Sequence, residues 1–76
     1  MNRDPFGIDQ WISARCELLG DVVQPAAYRD YVAYHDGRAR CSPWIFNQHL
    51  RLLGVGLRRS RGLRYLVGLS LRETEL

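Results

Sequence analysis

Eight arginines and no acidic side chain lie between Gly37 and Arg72: Arg38, Arg40, Arg51, Arg58, Arg59, Arg61, Arg64 and Arg72. A guanidinium is planar, permanently charged and forked, so the chemistry these residues offer is the gripping of phosphates, not bond breaking. The first 36 residues carry Arg3, Arg15 and Arg29 against Asp4, Asp9, Glu17, Asp21, Asp30 and Asp36, and Glu73 and Glu75 close the chain. A net charge of +3 therefore conceals a strongly basic C-terminal half. Lysine is absent throughout, so part of the arginine content is compositional bias. Such a bias does not explain why acids vanish from the same stretch. Charge separation of this kind points to a surface for a polyanion, with nucleic acid first. The competing reading is a solvated basic face.

Other chemistries find little support. Cys16 and Cys41 show neither a C-x-x-C spacing nor the density of a disulfide framework, and read as free thiols. With His35 and His49 they match no familiar zinc spacing, so no metal and no cofactor is expected. No serine–histidine–carboxylate or paired-carboxylate arrangement has local support. Seventy-six residues make one small domain. A chain of that size buries only about 60% of its unfolded surface and leaves little material for a catalytic cleft. The expectation is a binding domain, not an enzyme. The N-terminus lacks the apolar core of a signal peptide, and no apolar run nears the roughly 18 residues of a membrane span. A cytoplasmic protein with no membrane contact follows as the expectation.

The elements that must position the arginines are legible as periodicity. Residues 1–7 read as a loose leader, 8–72 as the folded domain and 73–76 as an acidic tail. Ile8, Trp11, Ile12, Cys16 and Leu19 recur at helical spacing, predicting a first helix from about Ile8 to Leu19 with Gly20 as its cap. Val22-Val23-Gln24 predicts a short strand or a loop. A second helix is expected from about Ala26 to His35, with Pro25 suited to its first turn and Asp36-Gly37 ending it. Tyr28, Tyr31 and Tyr34 on it read as core rather than as a stacking platform. Ser42-Pro43 is a strong start for a third helix reaching about Leu53. Phe46, His49, Leu50 and Leu53 make its core stripe, and Trp44, Asn47, Gln48 and Arg51 repeat the spacing on another face. Beyond Gly54 the period becomes alternating, and Ser60-Arg61-Gly62 predicts the turn of a β-hairpin with arginines at its tip. In that hairpin the alternation puts Leu66 on the exposed face.

The order is that of an α+β, mostly helical winged helix-turn-helix: three helices, a possible short first strand and a C-terminal hairpin wing. The run Tyr28-x-x-Tyr31-x-x-Tyr34, then Phe46-x-x-x-Leu50-x-x-x-Gly54, then Arg64-Tyr65-Leu66-Val67-Gly68-Leu69-Ser70-Leu71 resembles the C-terminal winged-helix domain of phage, plasmid and poxvirus-type primase-helicases. The resemblance covers about Ile8 to Arg72. Position 34, often tryptophan in that family, is tyrosine here. The family's domain follows a hexameric helicase engine and is thought to engage DNA at an origin or fork. No G-x-x-x-x-G-K-[ST] phosphate loop occurs in this chain. The resemblance thus implies either a terminal domain or a free-standing relative.

For the roles, Arg51, Asn47 and Gln48 are expected to face base edges in the major groove of duplex DNA. Arg58, Arg59, Arg61 and Arg64 on the wing are expected to grip phosphates or enter the minor groove. Arg38 and Arg40, with Ser42 at the N-terminus of the third helix, suit backbone contacts. Trp44 either stacks on nucleic acid or, as the favoured reading, packs against the preceding loop. The alternative from another class is a protein-interaction winged helix with an acidic protein partner, favoured by an exposed Leu66. Self-association into a homo-oligomer would serve either reading.

Overall fold

The computed structural model describes residues 4–72, so the acidic tail lies outside the described residues. Three helices and two small antiparallel sheets follow in the order α1 (Ile8–Arg15), β1 (Cys16–Glu17), β2 (Asp21–Val23), α2 (Gln24–Tyr34), α3 (Pro43–Leu52), β3 (Gly56–Ser60), β4 (Leu63–Val67) and β5 (Ser70–Leu71). This is an α+β chain built around one apolar cluster. No helix of the described residues is long and apolar enough to cross a membrane.

Residues 4–7 form a turn rather than a free lead-in. The Asp4 carboxylate accepts from the backbone N–H groups of Asp9 and Gln10, at 3.0 and 2.9 Å, so it satisfies donors that α1 leaves open. Gly7 occupies the N-cap with φ +69°, and a Cβ there would sit 2.4 Å from the His35 ring. Only glycine fits. His35 Nε2 donates to the Gly7 carbonyl across that gap at 2.9 Å.

α1 stops at Arg15, four residues short of the expected Leu19. The C-terminal segment captures the chain instead. Cys16 pairs with Leu71, Glu17 pairs with Ser70, and the Arg72 N–H donates to the Arg15 carbonyl at 2.7 Å. Leu18 and Leu19 are left exposed, and Gly20 lies in the turn into β2 rather than capping a helix. α2 keeps its expected end but begins earlier, with Pro25 in its first turn. α3 starts as its sequence dictates: Ser42 Oγ accepts from the Ile45 N–H at 3.3 Å, with Pro43 first in the helix.

The core joins Ile8, Trp11 and Cys16 to Ala27 and Tyr31 of α2, Phe46 and Leu50 of α3, and Val55, Leu66 and Leu69. Its centre is aromatic: Trp11 lies 5.9 Å from Tyr31 and 5.5 Å from Phe46, and Tyr31 lies 4.9 Å from Phe46. Tyr31 is fully buried and Tyr28 and Tyr34 half-buried, which leaves no tyrosine platform at the surface. On α3 the expected stripe holds at Phe46 and Leu50, while His49 is half-buried and Leu53 exposed.

In the three-stranded sheet β4 is central, between β2 and β3. Leu66 stands opposite Val22 on one side and Leu57 on the other. Leu66 is only 2% exposed, which corrects the expectation that it faces solvent. Leu63 and Val67, which belong to the other alternating set of β4, are the exposed ones. Both faces of β4 carry apolar residues, so alternation alone does not tell which face meets the helices.

Two buried acids weaken the fold at high pH. Burial, and then Asp30, push the Cys16 thiol from 9.0 up to about 12. Burial, and then the hydrogen bond with Cys41, raise the Tyr31 hydroxyl. Both groups are neutral in the fold and ionise more readily once unfolded. The Cys16 contribution is therefore intact below pH 9.0 and is lost as pH rises from there toward about 12, and that of Tyr31 is lost in the same direction. The urea midpoint is expected to fall over that window, and Cys16→Ala to flatten the fall.

Candidate nucleic-acid interface

The alternation of β3 and β4 sorts the arginines of this hairpin by face. Arg59 stands directly opposite Arg64, and the pair shares the face of Leu57 and Leu66. Arg58 is opposite Tyr65 on the other face. There its guanidinium lies 4.8 Å from the Tyr65 ring centre and donates to the Asp21 carboxylate at 2.9 Å. Arg58 is thus engaged on the outer side of the hairpin and does not join Arg59 and Arg64.

α3 lies beside the inner side of that hairpin. Trp44, Asn47, Gln48 and Arg51 line one wall of a cleft of about 380 Å³, and Leu57, Arg59 and Arg64 line the other. Helical spacing explains the first wall, since positions three and four apart share a face. Pleating explains the second. The structure therefore brings together Trp44, Asn47, Gln48, Arg51, Arg59 and Arg64 from the residues picked out by sequence, and adds Leu57. The signal for Leu57 was its alternation with Arg59 along the same strand.

The cleft is electrostatically one-sided. No acid lines it, and among the described residues Arg51, Arg59 and Arg64 make no ion pair. Like charges directly opposite on adjacent strands destabilise a sheet, so the Arg59–Arg64 pair costs stability until an anion sits against it. The Asn47 Oδ1 is buried with no hydrogen-bond partner. Trp44 is 70% exposed, which corrects the expectation that it packs against the preceding loop.

The remaining arginines take other places. Arg61 occupies the two-residue β3–β4 turn with φ +52°, followed by Gly62 at +79°, the pattern of a type I′ hairpin turn. Asparagine is favoured at the first position of such a turn, and arginine is strained there. Arg61→Asn is expected to raise thermal stability by about 0.5–1 kcal/mol while reducing the salt dependence of any phosphate binding. Arg38 and Arg40 line a separate polar recess of about 690 Å³ with Gln10, Tyr34, His35 and Asp36. Ser42 is occupied as the cap of α3.

The cysteines and His35 do not assemble a ligand set. Cys16 is in the core, and the described groups that lie within 4.8 Å of one another are Asp4, Asp9 and His49. The Asp4 carboxylate is engaged in capping α1, and His49 Nε2 lies 3.3 Å from Asp9.

Comparison with family models, with curated proteins and with solved structures finds no match to this chain.

Proposed function

We propose that this chain is a winged helix-turn-helix domain that binds duplex DNA and performs no chemistry of its own. The observation that carries the proposal is the acid-free cleft in which Arg51 of α3 faces Arg59 and Arg64 of the wing. The order α1, β2, α2, α3, β3, β4 and the central place of β4 in its sheet support the winged-helix reading. In the proposed complex α3 enters the major groove, where Arg51, Asn47 and Gln48 meet base edges. One phosphate backbone then runs through the cleft, between α3 and the wing, where it relieves the repulsion between Arg59 and Arg64. Arg61 at the wing tip reaches the neighbouring minor groove or its backbone. The resemblance to primase-helicase C-terminal domains makes a replication origin or fork the proposed setting. One such small module binds modestly, so specificity there needs repetition, by dimerisation or in a larger ring.

A protein-interaction role is the second reading. Leu66 does not support it, because Leu66 is in the core. Exposed Trp44 and Leu57 within the cleft favour it instead, since apolar groups among arginines suit an acidic, partly apolar protein segment.

The deciding experiment is a fluorescence-anisotropy titration with mixed-sequence duplex and single-stranded DNA at several salt concentrations. If Arg51, Arg59, Arg61 and Arg64 each neutralise one phosphate, log K falls against log salt with a slope of about −3.6. Absence of binding at low salt by the folded chain overturns the DNA proposal and directs attention to a protein partner.

A further inference from the structure

Trp44 is placed unlike the other tryptophan of the chain. Trp11 is fully buried against Tyr31 and Phe46, as large aromatic residues usually are. Trp44 is 70% exposed, and among the described residues no aromatic ring stacks on it. It stands in the first turn of α3, on the same cleft wall as Arg51, with half-exposed Leu57 on the opposite wall. Asn47 and Gln48 share the wall with Trp44.

Reading the edge of a paired base takes polar groups, and Asn47, Gln48 and Arg51 supply them. An indole does something else. It offers a flat π-face, and the complementary surface of a nucleic acid is the face of a base. In a continuous duplex those faces are covered by the neighbouring base pairs. They become available where a nucleotide is unpaired. An aromatic platform beside a track of positive charge is the composition that binds unpaired strands, and the cleft combines Trp44 with Arg51, Arg59 and Arg64.

We infer that the cleft receives an unpaired nucleotide, with its base against Trp44 and its phosphate between Arg59 and Arg64. Asn47 and Gln48, on the same wall, then meet the edge of that base. The inference rests on the DNA-binding proposal and narrows its ligand. The preferred substrate is a duplex carrying a single-stranded extension, not a closed duplex.

The test titrates the full chain against one labelled duplex in three forms: blunt, with a short 5′ overhang and with a short 3′ overhang. Stacking on an aromatic side chain gives at least one overhang form about five- to 150-fold tighter binding than the blunt form. Trp44→Ala is expected to erase that advantage, weakening overhang binding at least about five-fold more than blunt-duplex binding, and Trp44→Phe to retain most of it. Trp44 lies on the surface, so both variants should melt near the parent temperature. In the parent chain the exposed indole is quenched by the overhang probe alone, against the constant emission of buried Trp11. Equal affinity for blunt and overhang forms in the parent overturns the inference while leaving duplex binding standing. A Trp44→Ala loss that is equal on both forms overturns it too, since a wedge between base pairs acts that way. Failure to bind any of the three forms overturns the DNA-binding proposal as well.

Discussion

Replacing Arg59 and Arg64 together by glutamate is expected to weaken duplex binding at least about 100-fold at roughly 0.1 M salt, with the fold intact. Two phosphate contacts are removed, which alone halves the salt slope from about −3.6 to about −1.8. Two carboxylates are also turned toward the backbone that the arginines would have held, and like charges across an interface repel. Stability is little changed, because one pair of like charges facing each other across the wing replaces another. The single variant Arg59→Glu separates function from folding more sharply. The introduced carboxylate would stand opposite Arg64, a favourable cross-strand pair in place of an unfavourable one, so the melting temperature should rise as DNA affinity falls. Anisotropy titrations and thermal melts on the same samples check both signs. Arg58→Glu should leave binding nearly unchanged, since Arg58 faces the other way and is held by Asp21 and Tyr65. A large loss from Arg58→Glu with little from Arg59→Glu would show that the outer face of the wing meets the DNA.

Trp11→Ala is expected to unfold the chain. The indole is fully buried against Tyr31 and Phe46, and its N–H donates to the Asp30 carboxylate at 2.9 Å. Truncating a buried tryptophan costs about 3–5 kcal/mol. That is about the entire stability a single core of this size supplies. The far-ultraviolet circular dichroism should therefore lose its helical signal at 25 °C and show no cooperative melt. Asp30→Asn makes the comparison. It keeps an acceptor for the indole and gives up the charge in the 2.7 Å pair with half-exposed Arg15. Such a partly exposed pair contributes about 1 kcal/mol or less, so this variant should remain folded. Cooperative unfolding of Trp11→Ala near the parent temperature would mean that α1 is not needed to close the core.

The structure agrees with the sequence reading where local chemistry decides. Ser42-Pro43 starts α3, Asp36-Gly37 ends α2, and Arg61-Gly62 turns the β3–β4 hairpin, each through backbone preferences acting over a few residues. The departures all occur where a distant segment intervenes. The apolar spacing that extends to Leu19 is helical, yet the chain straightens at Cys16 because β5, more than fifty residues later, offers it a strand partner. Trp44, expected to pack against the preceding loop, stands instead in the cleft between α3 and the β3–β4 hairpin.

The charge separation, the succession of three helices and a hairpin, and the arginine at that hairpin's turn were legible in the sequence, because they depend on composition, on periodicity and on local turn and cap preferences. The β1–β5 pairing was not, and neither was which arginines lie side by side. Arg58 and Arg59 are neighbours in sequence, but the pleat sends them to opposite faces, and β4 carries apolar residues on both of its own. Which face of the β3–β4 hairpin is inward was set by the burial of Leu66 in the core, a contact between segments far apart in the chain. That packing carried Arg59 and Arg64 to the side of α3, where they share a cleft with Arg51 and Trp44.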